Sequence, residues 1–399
     1  MKKVAFYTAP GMDFSPATLS AVPIVIRGLA IAAGGDGWEP VVVAAKSDSP
    51  AFPDISTVGV DFSPAPGPGA GVLLRRIERK IFQHRHILHR TWIAESIAVL
   101  RTACPPGSVV VAPAEIELNV GMAAALPGRK FVAVFHDCNF VCKPRFRRRL
   151  KSSGITLCAV SSFCARAAEK YFSLPPGSVH VVYNAVGHGI FSPQARTSQS
   201  VPTISCHGRS VPEKGIDILL GAAIRLAESG GQFRVQLAGA NRGLALDLTD
   251  PYQQKLTAMI DRLSNLGIVV HRQRNVEWAE IPGYLRSADI HVSPQRWDEP
   301  FGMATLEAMA SGLATVASGT GGTPEVVGDA GLLFERGNIG QLATHLERLI
   351  LDEPYRVEMG RRAHQQSLKF TWDNSWRSLK TAFSGVAPAA GPKVVDGDA

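Results

Sequence analysis

The 399 residues predict an α/β protein with two doubly wound, parallel-sheet domains. Three observations carry that expectation. Short apolar runs alternate with helical patterns from end to end, as they do when strands are covered on both faces by the helices that link them. The composition, 45% apolar and 19% charged, supplies a core and excludes intrinsic disorder as the main state. The length suits two or three domains, and the alternation restarts after a polar, turn-rich stretch near Asn184–Pro202.

The first strand is expected over Lys3–Thr8. The apolar run after Met1-Lys2-Lys3 is too short for the core of a secretory signal and ends at the turn Ala9-Pro10-Gly11. Further strands are expected at Pro40–Ala45, Ser108–Pro113, Lys130–Phe135, Ile155–Val160 and Val179–Tyr183, with a long helical pattern from about Val72 to Thr102. The second series runs Thr203–His207, Arg234–Ala238, Ile268–His271, Asp289–Ser293 and Leu313–Ala317. Each series is the size of one Rossmann-like domain, which places domains at 1–190 and 191–370. A C-terminal helix at 371–385 is expected to cross back to the first domain, and the small, Pro/Gly-rich residues 386–399 form a tail. No run of 18 uninterrupted apolar residues predicts a spanning helix.

Charge is unevenly shared: residues 1–195 carry net +9 and the remainder net −1. The excess gathers in Arg75-Arg76-Ile77-Glu78-Arg79-Lys80 with Arg85 and Arg90, and in Lys143–Lys151. Such clusters attract anionic lipid or nucleic acid, or form a solvated helix face, and charge alone does not choose between them. The six cysteines form no CxxC pair and no ligand rhythm with histidine, a pattern without a zinc signature that suits a reduced protein with half-buried thiols.

The most informative stretch is Asp298-Glu299-Pro300-Phe301-Gly302-Met303-Ala304-Thr305-Leu306-Glu307-Ala308-Met309-Ala310-Ser311-Gly312. It follows a strand, so it belongs at the carboxyl edge of a parallel sheet, where open α/β folds bind ligands. Pro300 suits the first helical position and Gly312 the exit, while Leu306, Met309, Ala310 and Leu313 share a core-facing stripe. Along such a helix Glu307 lies about 12 Å beyond Glu299. That separation suits one carboxylate for the sugar and one for the ribose of an extended nucleotide sugar. The amides of Phe301, Gly302 and Met303, at the positive helix end, would then face the diphosphate. In His207-Gly208-Arg209-Ser210-Val211-Pro212-Glu213-Lys214-Gly215, Arg209 and Lys214 can converge on one anion. A cation at a helix start needs a negative partner, which a diphosphate supplies.

These residues closely resemble the retaining glycosyltransferases of family 4, with the GT-B fold of two Rossmann-like domains facing a central cleft. The resemblance rests on Gly208-Arg209, Pro212-Glu213-Lys214-Gly215, Glu299-Pro300-Phe301-Gly302, Glu307-Ala308 and Gly312. It extends through Ala159-Val160-Ser161, Val179–Val186 and Gly321-Gly322-Thr323-Pro324-Glu325, and is continuous from about Val134 to Phe383. It implies transfer of a hexose from a UDP- or GDP-hexose with retention of configuration, with no cofactor and no metal. By resemblance Arg209 and Lys214 neutralise the diphosphate, Glu299 contacts the donor sugar and Glu307 the ribose. His136, after the strand ending at Phe135, positions the donor sugar, with Asp137 as helper. The loop Ala9–Ser15 approaches the diphosphate or acceptor, but carries only Gly11 where the family often has paired glycines. The acceptor-side domain is 1–190 and the donor-binding domain 191–370. The implied acceptor is a glycan or lipid-linked sugar in envelope polysaccharide or lipopolysaccharide biosynthesis, at the anionic inner face of a plasma membrane and without nucleic acid. Alternatives are a soluble glucan or disaccharide synthase, a GT-B sugar-nucleotide epimerase, or a catalytically dead sugar-nucleotide-binding protein. As structure alone, Glu299 and Glu307 would be a helix start and a surface carboxylate, Arg209 and Lys214 solvated cations, and Thr323-Pro324 a helix entry with Thr323 as cap.

Overall fold

A computed structural model describes residues 2–8, 12–18, 20–47, 49–60, 89–194, 201–239, 250–274 and 276–385. Contacts divide the chain into two compact units. One runs to Cys158 and adds Ala168–His180 and the chain from Leu379, and the other holds Ala159–Ala167 and Val181–Ser378.

The first unit is built on a seven-stranded sheet of order β3-β2-β1-β4-β5-β6-β7. Its strands are β1 (Lys2–Tyr7), β2 (Trp38–Ala45), β3 (Thr57–Val60), β4 (Val109–Pro113), β5 (Lys130–Phe135), β6 (Thr156–Ala159) and β7 (Val179–Val181). The pairs β1–β2, β1–β4, β2–β3 and β4–β5 are parallel. Val4, Ala5, Phe6 and Tyr7 are wholly buried, as a central strand covered by helices on both faces requires. The helix Trp372–Ser384 is shared between the units, and its last part belongs to this one. There Lys380 pairs with Asp36 at 2.7 Å and the Phe383 ring meets Trp38 edge-on.

The second unit has a six-stranded sheet of order β10-β9-β8-β11-β12-β13. Its strands are β8 (Thr203–His207), β9 (Arg234–Gly239), β10 (Val269–Arg274), β11 (Ile290–Ser293), β12 (Ala314–Ser318) and β13 (Leu332–Phe334). All five neighbouring pairs are parallel. Caps written into the sequence start its helices. Asp250, before Pro251, accepts from the amides of Tyr252 and Gln253, and Asn338 accepts from Gln341.

Every expected strand is present, Lys130–Phe135 and Thr203–His207 with the expected ends and the others with ends moved by at most three residues, whereas β3 and β13 were not foreseen. Both are short edge strands with little apolar length to mark them. Of the long pattern Val72–Thr102, the described part is the helix His89–Ala103. All six cysteines are free and all but Cys138 are buried, deeper than the half-buried thiols expected. Burial pushes the Cys104 thiol up to about 11 and that of Cys206 up to about 12, which keeps both protonated. Among the described residues no helix is long and apolar enough to cross a membrane.

Candidate functional site

The strand order of the second sheet reverses beside β8, whose neighbours are β9 and β11. The loops leaving β8 and β11 therefore flank the crevice in which such sheets bind ligands. Arg209, Lys214, Glu299 and Glu307 all lie on these two connections or the helix that follows.

The β8 exit turns through Gly208, at φ 137°, into Arg209. Gln253, 2% exposed, holds the next residue by donating from Nε2 to the Ser210 carbonyl at 2.8 Å. Arg272 donates to Ser210 Oγ and to Gln253 Oε1. Arg209 is half-buried and has no carboxylate partner among the described residues.

Lys214 ends a 3-10 turn, Pro212–Lys214, and so precedes the helix Ile216–Glu228 rather than occupying its first turn. The break is Gly215, at φ 67°, where an added Cβ would fall 1.9 Å from the Pro294 carbonyl oxygen. Only glycine lets this turn lie against the β11 exit. The Arg296 amide then donates to the Glu213 carbonyl at 2.8 Å. Asp217, 4% exposed, receives Arg296, Lys255 at 2.6 Å and the Tyr252 hydroxyl at 3.1 Å. Burial opposes its ionisation, but the hydrogen bonds from Arg296 and Lys255 outweigh burial and hold the carboxyl down to about 2.

Lys214 Nζ reaches Glu299 Oε2 at 2.6 Å and lies 5.2 Å from the centre of the Trp297 ring. Trp297 Nε1 donates to the same carboxylate oxygen at 2.8 Å. The negative partner of Lys214 is thus Glu299, where the sequence suggested a diphosphate. Two donors on one oxygen orient the Glu299 carboxylate.

Glu299 lies in the loop before the helix Met303–Ala310. Gly302, at φ 104°, is the N-cap, so Pro300 is not the first helical residue and the two carboxylates do not share one helix. The apolar stripe and the glycine exit are as expected. Leu306, Met309, Ala310 and Leu313 are wholly buried, and Gly312, at φ 75°, follows the helix end. Gly322 donates its amide to the Glu299 carbonyl at 2.7 Å, and Cβ atoms on Gly321 or Gly322 would strike the Glu299 and Pro300 backbone within 2.5 Å. Ser161 Oγ donates to the Pro300 carbonyl at 2.6 Å. Glu325 accepts from the amides of Ser162 and Phe163 at 2.8 and 2.7 Å, which caps the helix that begins there, and from the Tyr183 hydroxyl. Thr323 is not a cap, because Gly322 occupies that position and the Thr323 hydroxyl is buried without a partner.

Glu307 is 6% exposed, far from the surface carboxylate of the structural alternative, and its Oε2 lies 2.9 Å from His207 Nε2. Phe301 is buried and packs against Phe370 and Tyr183. The amides of Met303 and Ala304 start the helix with no side chain capping them.

In the first unit, His136 follows β5, and burial pushes its imidazole down to about 4, so the ring is neutral at physiological pH. Asp137 is exposed and accepts from the Asn139 amide at 3.0 Å in a local turn. Gly11 lies outside the described residues, as does the basic run from Arg75 to Arg85. Of that loop, Asp13 is described, accepting from Ser15 Oγ at 2.7 Å. The second basic cluster forms the helix Pro144–Lys151. Arg145, Arg148 and Arg149 are exposed, whereas Arg147 lies over the Tyr171 ring at 3.9 Å.

Sequence reasoning missed Trp297, His207, Gln253 and the capping role of Glu325. Only Trp297 carried a signal, a large aromatic two residues before a site carboxylate. The partners of the others lie 43 to 163 positions away in sequence.

Two doubly wound parallel sheets of this order define the GT-B fold of glycosyltransferases. Residues 191–366 match the family described as glycosyl transferases group 1. The chain is 26% identical over 228 residues to a D-inositol 3-phosphate glycosyltransferase of Nocardioides, covering 53% of this chain and 50% of that protein. It is 26% identical over 287 residues to a GDP-mannose-dependent monoacylated alpha-(1-6)-phosphatidylinositol monomannoside mannosyltransferase of Corynebacterium glutamicum, covering 66% and 72%. The chain spans about half the length of most curated relatives it matches. Among solved structures, HepE of Anabaena in complex with UDP and glucose superposes with a TM-score of 0.67 at 19% identity, covering 97% of this chain and all of that one.

Proposed function

We propose that the protein is a retaining hexosyltransferase of family 4. It moves a hexose from a UDP- or GDP-hexose to a glycan or lipid-linked acceptor in envelope polysaccharide or lipopolysaccharide biosynthesis. The observation that carries this reading is the Lys214–Glu299 pair at 2.6 Å, set at the sheet's switch point, with the half-buried Arg209 on the same β8 exit as Lys214. A cation beside a carboxylate at a helix N-terminus suits a donor whose diphosphate and sugar are neighbours.

In this reading Arg209 and Lys214 take the diphosphate, neutralising the charge that grows on the leaving oxygen without a metal ion. The amides from Phe301 to Met303 support the same group. Glu299 holds hydroxyls of the donor sugar and Glu307 those of the ribose, and the resemblance assigns His136, whose ring is neutral, to positioning the sugar, and Asp137 and Gly11 to donor binding. The bond from the anomeric carbon to the phosphate oxygen breaks on the face where the acceptor oxygen bonds, and the released phosphate oxygen takes the acceptor's proton. Configuration is thereby retained. A GDP-mannose-dependent relative and a neighbour crystallised with UDP make both bases arms of the test.

The test incubates the full chain with UDP- and GDP-hexoses, with and without membrane extract, in the presence of EDTA. The reading expects acceptor-dependent nucleotide release that persists in EDTA, and a product of unchanged anomeric configuration by NMR. No binding and no release with any donor overturns it. Epimerised donor without transfer, or transfer only to soluble sugars, replaces it with the epimerase or the soluble synthase.

A further inference from the structure

His207, the last residue of β8, is used by none of the roles above. Its Nε2 lies 2.9 Å from Glu307 Oε2, and the two side chains are 5% and 9% exposed. The ring is walled in by His291, with centroids 5.0 Å apart, and by Tyr284 at 6.2 Å. Both walls are pinned. His291 is hydrogen-bonded to Ser205 and Ser293, and the Tyr284 hydroxyl donates to the Cys206 and Gln236 carbonyls. His207 Nδ1 is buried without a partner. A proton there would be a buried donor with no acceptor, so the ring carries its proton on Nε2 and donates it to Glu307.

We propose that His207 is a positioning residue for the donor's ribose: by holding Glu307 Oε2 it presents Oε1 to the ribose hydroxyls of a nucleoside diphosphate. The inference rests on Glu307 as the ribose carboxylate in the function proposed above. A glutamate loses several rotamers when it grips a ligand, and a buried hydrogen bond that fixes it beforehand removes that loss from binding. Helix position alone leaves the carboxylate free to rotate. A histidine at the end of the adjacent strand aims it.

The experiment measures equilibrium binding of UDP and GDP, and of their 2′- and 3′-deoxy counterparts, to the wild type and to His207→Phe and His207→Gln. Phenylalanine keeps the ring's volume and lacks the donor, while glutamine places an amide N–H near the Nε2 position. The wild type is expected to prefer the ribonucleotide. His207→Phe should lose about tenfold in ribonucleotide affinity, the scale of one hydrogen bond to a carboxylate, with deoxynucleotide affinity nearly unchanged. His207→Gln should restore most of the preference, and KM for the donor should rise more than kcat falls. Equal weakening of ribo- and deoxynucleotides, or a preference that survives in His207→Phe, overturns the inference. If His207→Phe does not fold by circular dichroism, His207→Asn, too short to reach Glu307, takes its place. A wild type that binds nucleotide with no ribose preference sinks this inference alone. A wild type that binds neither nucleotide sinks the donor reading and the inference with it.

Discussion

Glu299 receives Lys214 and Trp297 on one carboxylate oxygen, so removing either partner changes where the remaining charge points. Glu299→Gln and Lys214→Ala should each lower turnover on the order of 100-fold or more, as losing a preorganised charge-stabilising group does. Both side chains lie at the sheet edge, not in the core, so thermal unfolding should move little. Near-normal nucleotide release by folded variants would contradict the assignment. Asp217 is a stabilising residue and not a chemical one. Asp217→Asn should cost about 1–3 kcal/mol, less than loss from a fully buried pair, because Arg296 and Lys255 can rehydrate. The sign with pH follows from the lowered carboxyl. Its contribution is complete above the ordinary value of 3.8 and is lost as pH falls toward about 2. Urea midpoints of the wild type and Asp217→Asn should therefore converge across that interval.

At the scale of elements, the site is a set of turns pressed against one another, and glycines set the spacing. Gly215 places the Pro212–Lys214 turn on the β11 exit, and Gly321-Gly322 place the β12 exit on Glu299-Pro300. Gly215→Ala must move backbone away from Pro294, so it should destabilise by more than about 1 kcal/mol. It should also cut turnover by shifting Lys214 from Glu299. Chemical denaturation with activity measured on the folded fraction checks both parts, and a fully stable, fully active Gly215→Ala would refute the packing argument. Glu325 acts at longer sequence range. As a borrowed N-cap for the helix from Ser162, its replacement by Ala should cost about 0.5–2 kcal/mol, read as a lower melting temperature.

At the scale of the molecule, the two halves differ in charge, net +9 against −1, and the first holds an exposed basic helix. If that helix meets an anionic membrane where acceptors lie, the protein should float with anionic vesicles and leave them as salt rises. Each exposed cation contributes about 1 kcal/mol, screened over a Debye length of about 8 Å at physiological salt. Arg145→Ser, Arg148→Ser and Arg149→Ser together should weaken vesicle binding by up to about 3 kcal/mol. Arg147 is left out because Tyr171 already engages it. Nucleotide affinity should stay unchanged, since Arg209, Lys214, Glu299 and Glu307, the residues proposed for the diphosphate, sugar and ribose, lie in the other unit. No flotation of the wild type even at low salt would favour a soluble acceptor.

Much of this protein is legible in one dimension. Buried parallel strands announce themselves as apolar runs because both faces are covered, and the strands with long runs were placed within three residues. The short edge strands β3 and β13 were not, since their stability comes from one neighbour and not from their own composition. That Arg209, Lys214, Glu299 and Glu307 come at the exits of β8 and β11 was legible because a strand exit, a glycine and a helix start keep fixed spacing along the chain. The sequence by itself thus determined the fold class and which charges face the sheet edge. Only the tertiary structure decided how they are held: that Lys214 pairs with Glu299, that His207 grips Glu307, and that Glu325 caps a helix begun more than 160 residues earlier. The reason is that hydrogen bonds are satisfied by whatever the folded chain brings within 3 Å, and a parallel sheet sets side by side strands that the chain keeps far apart.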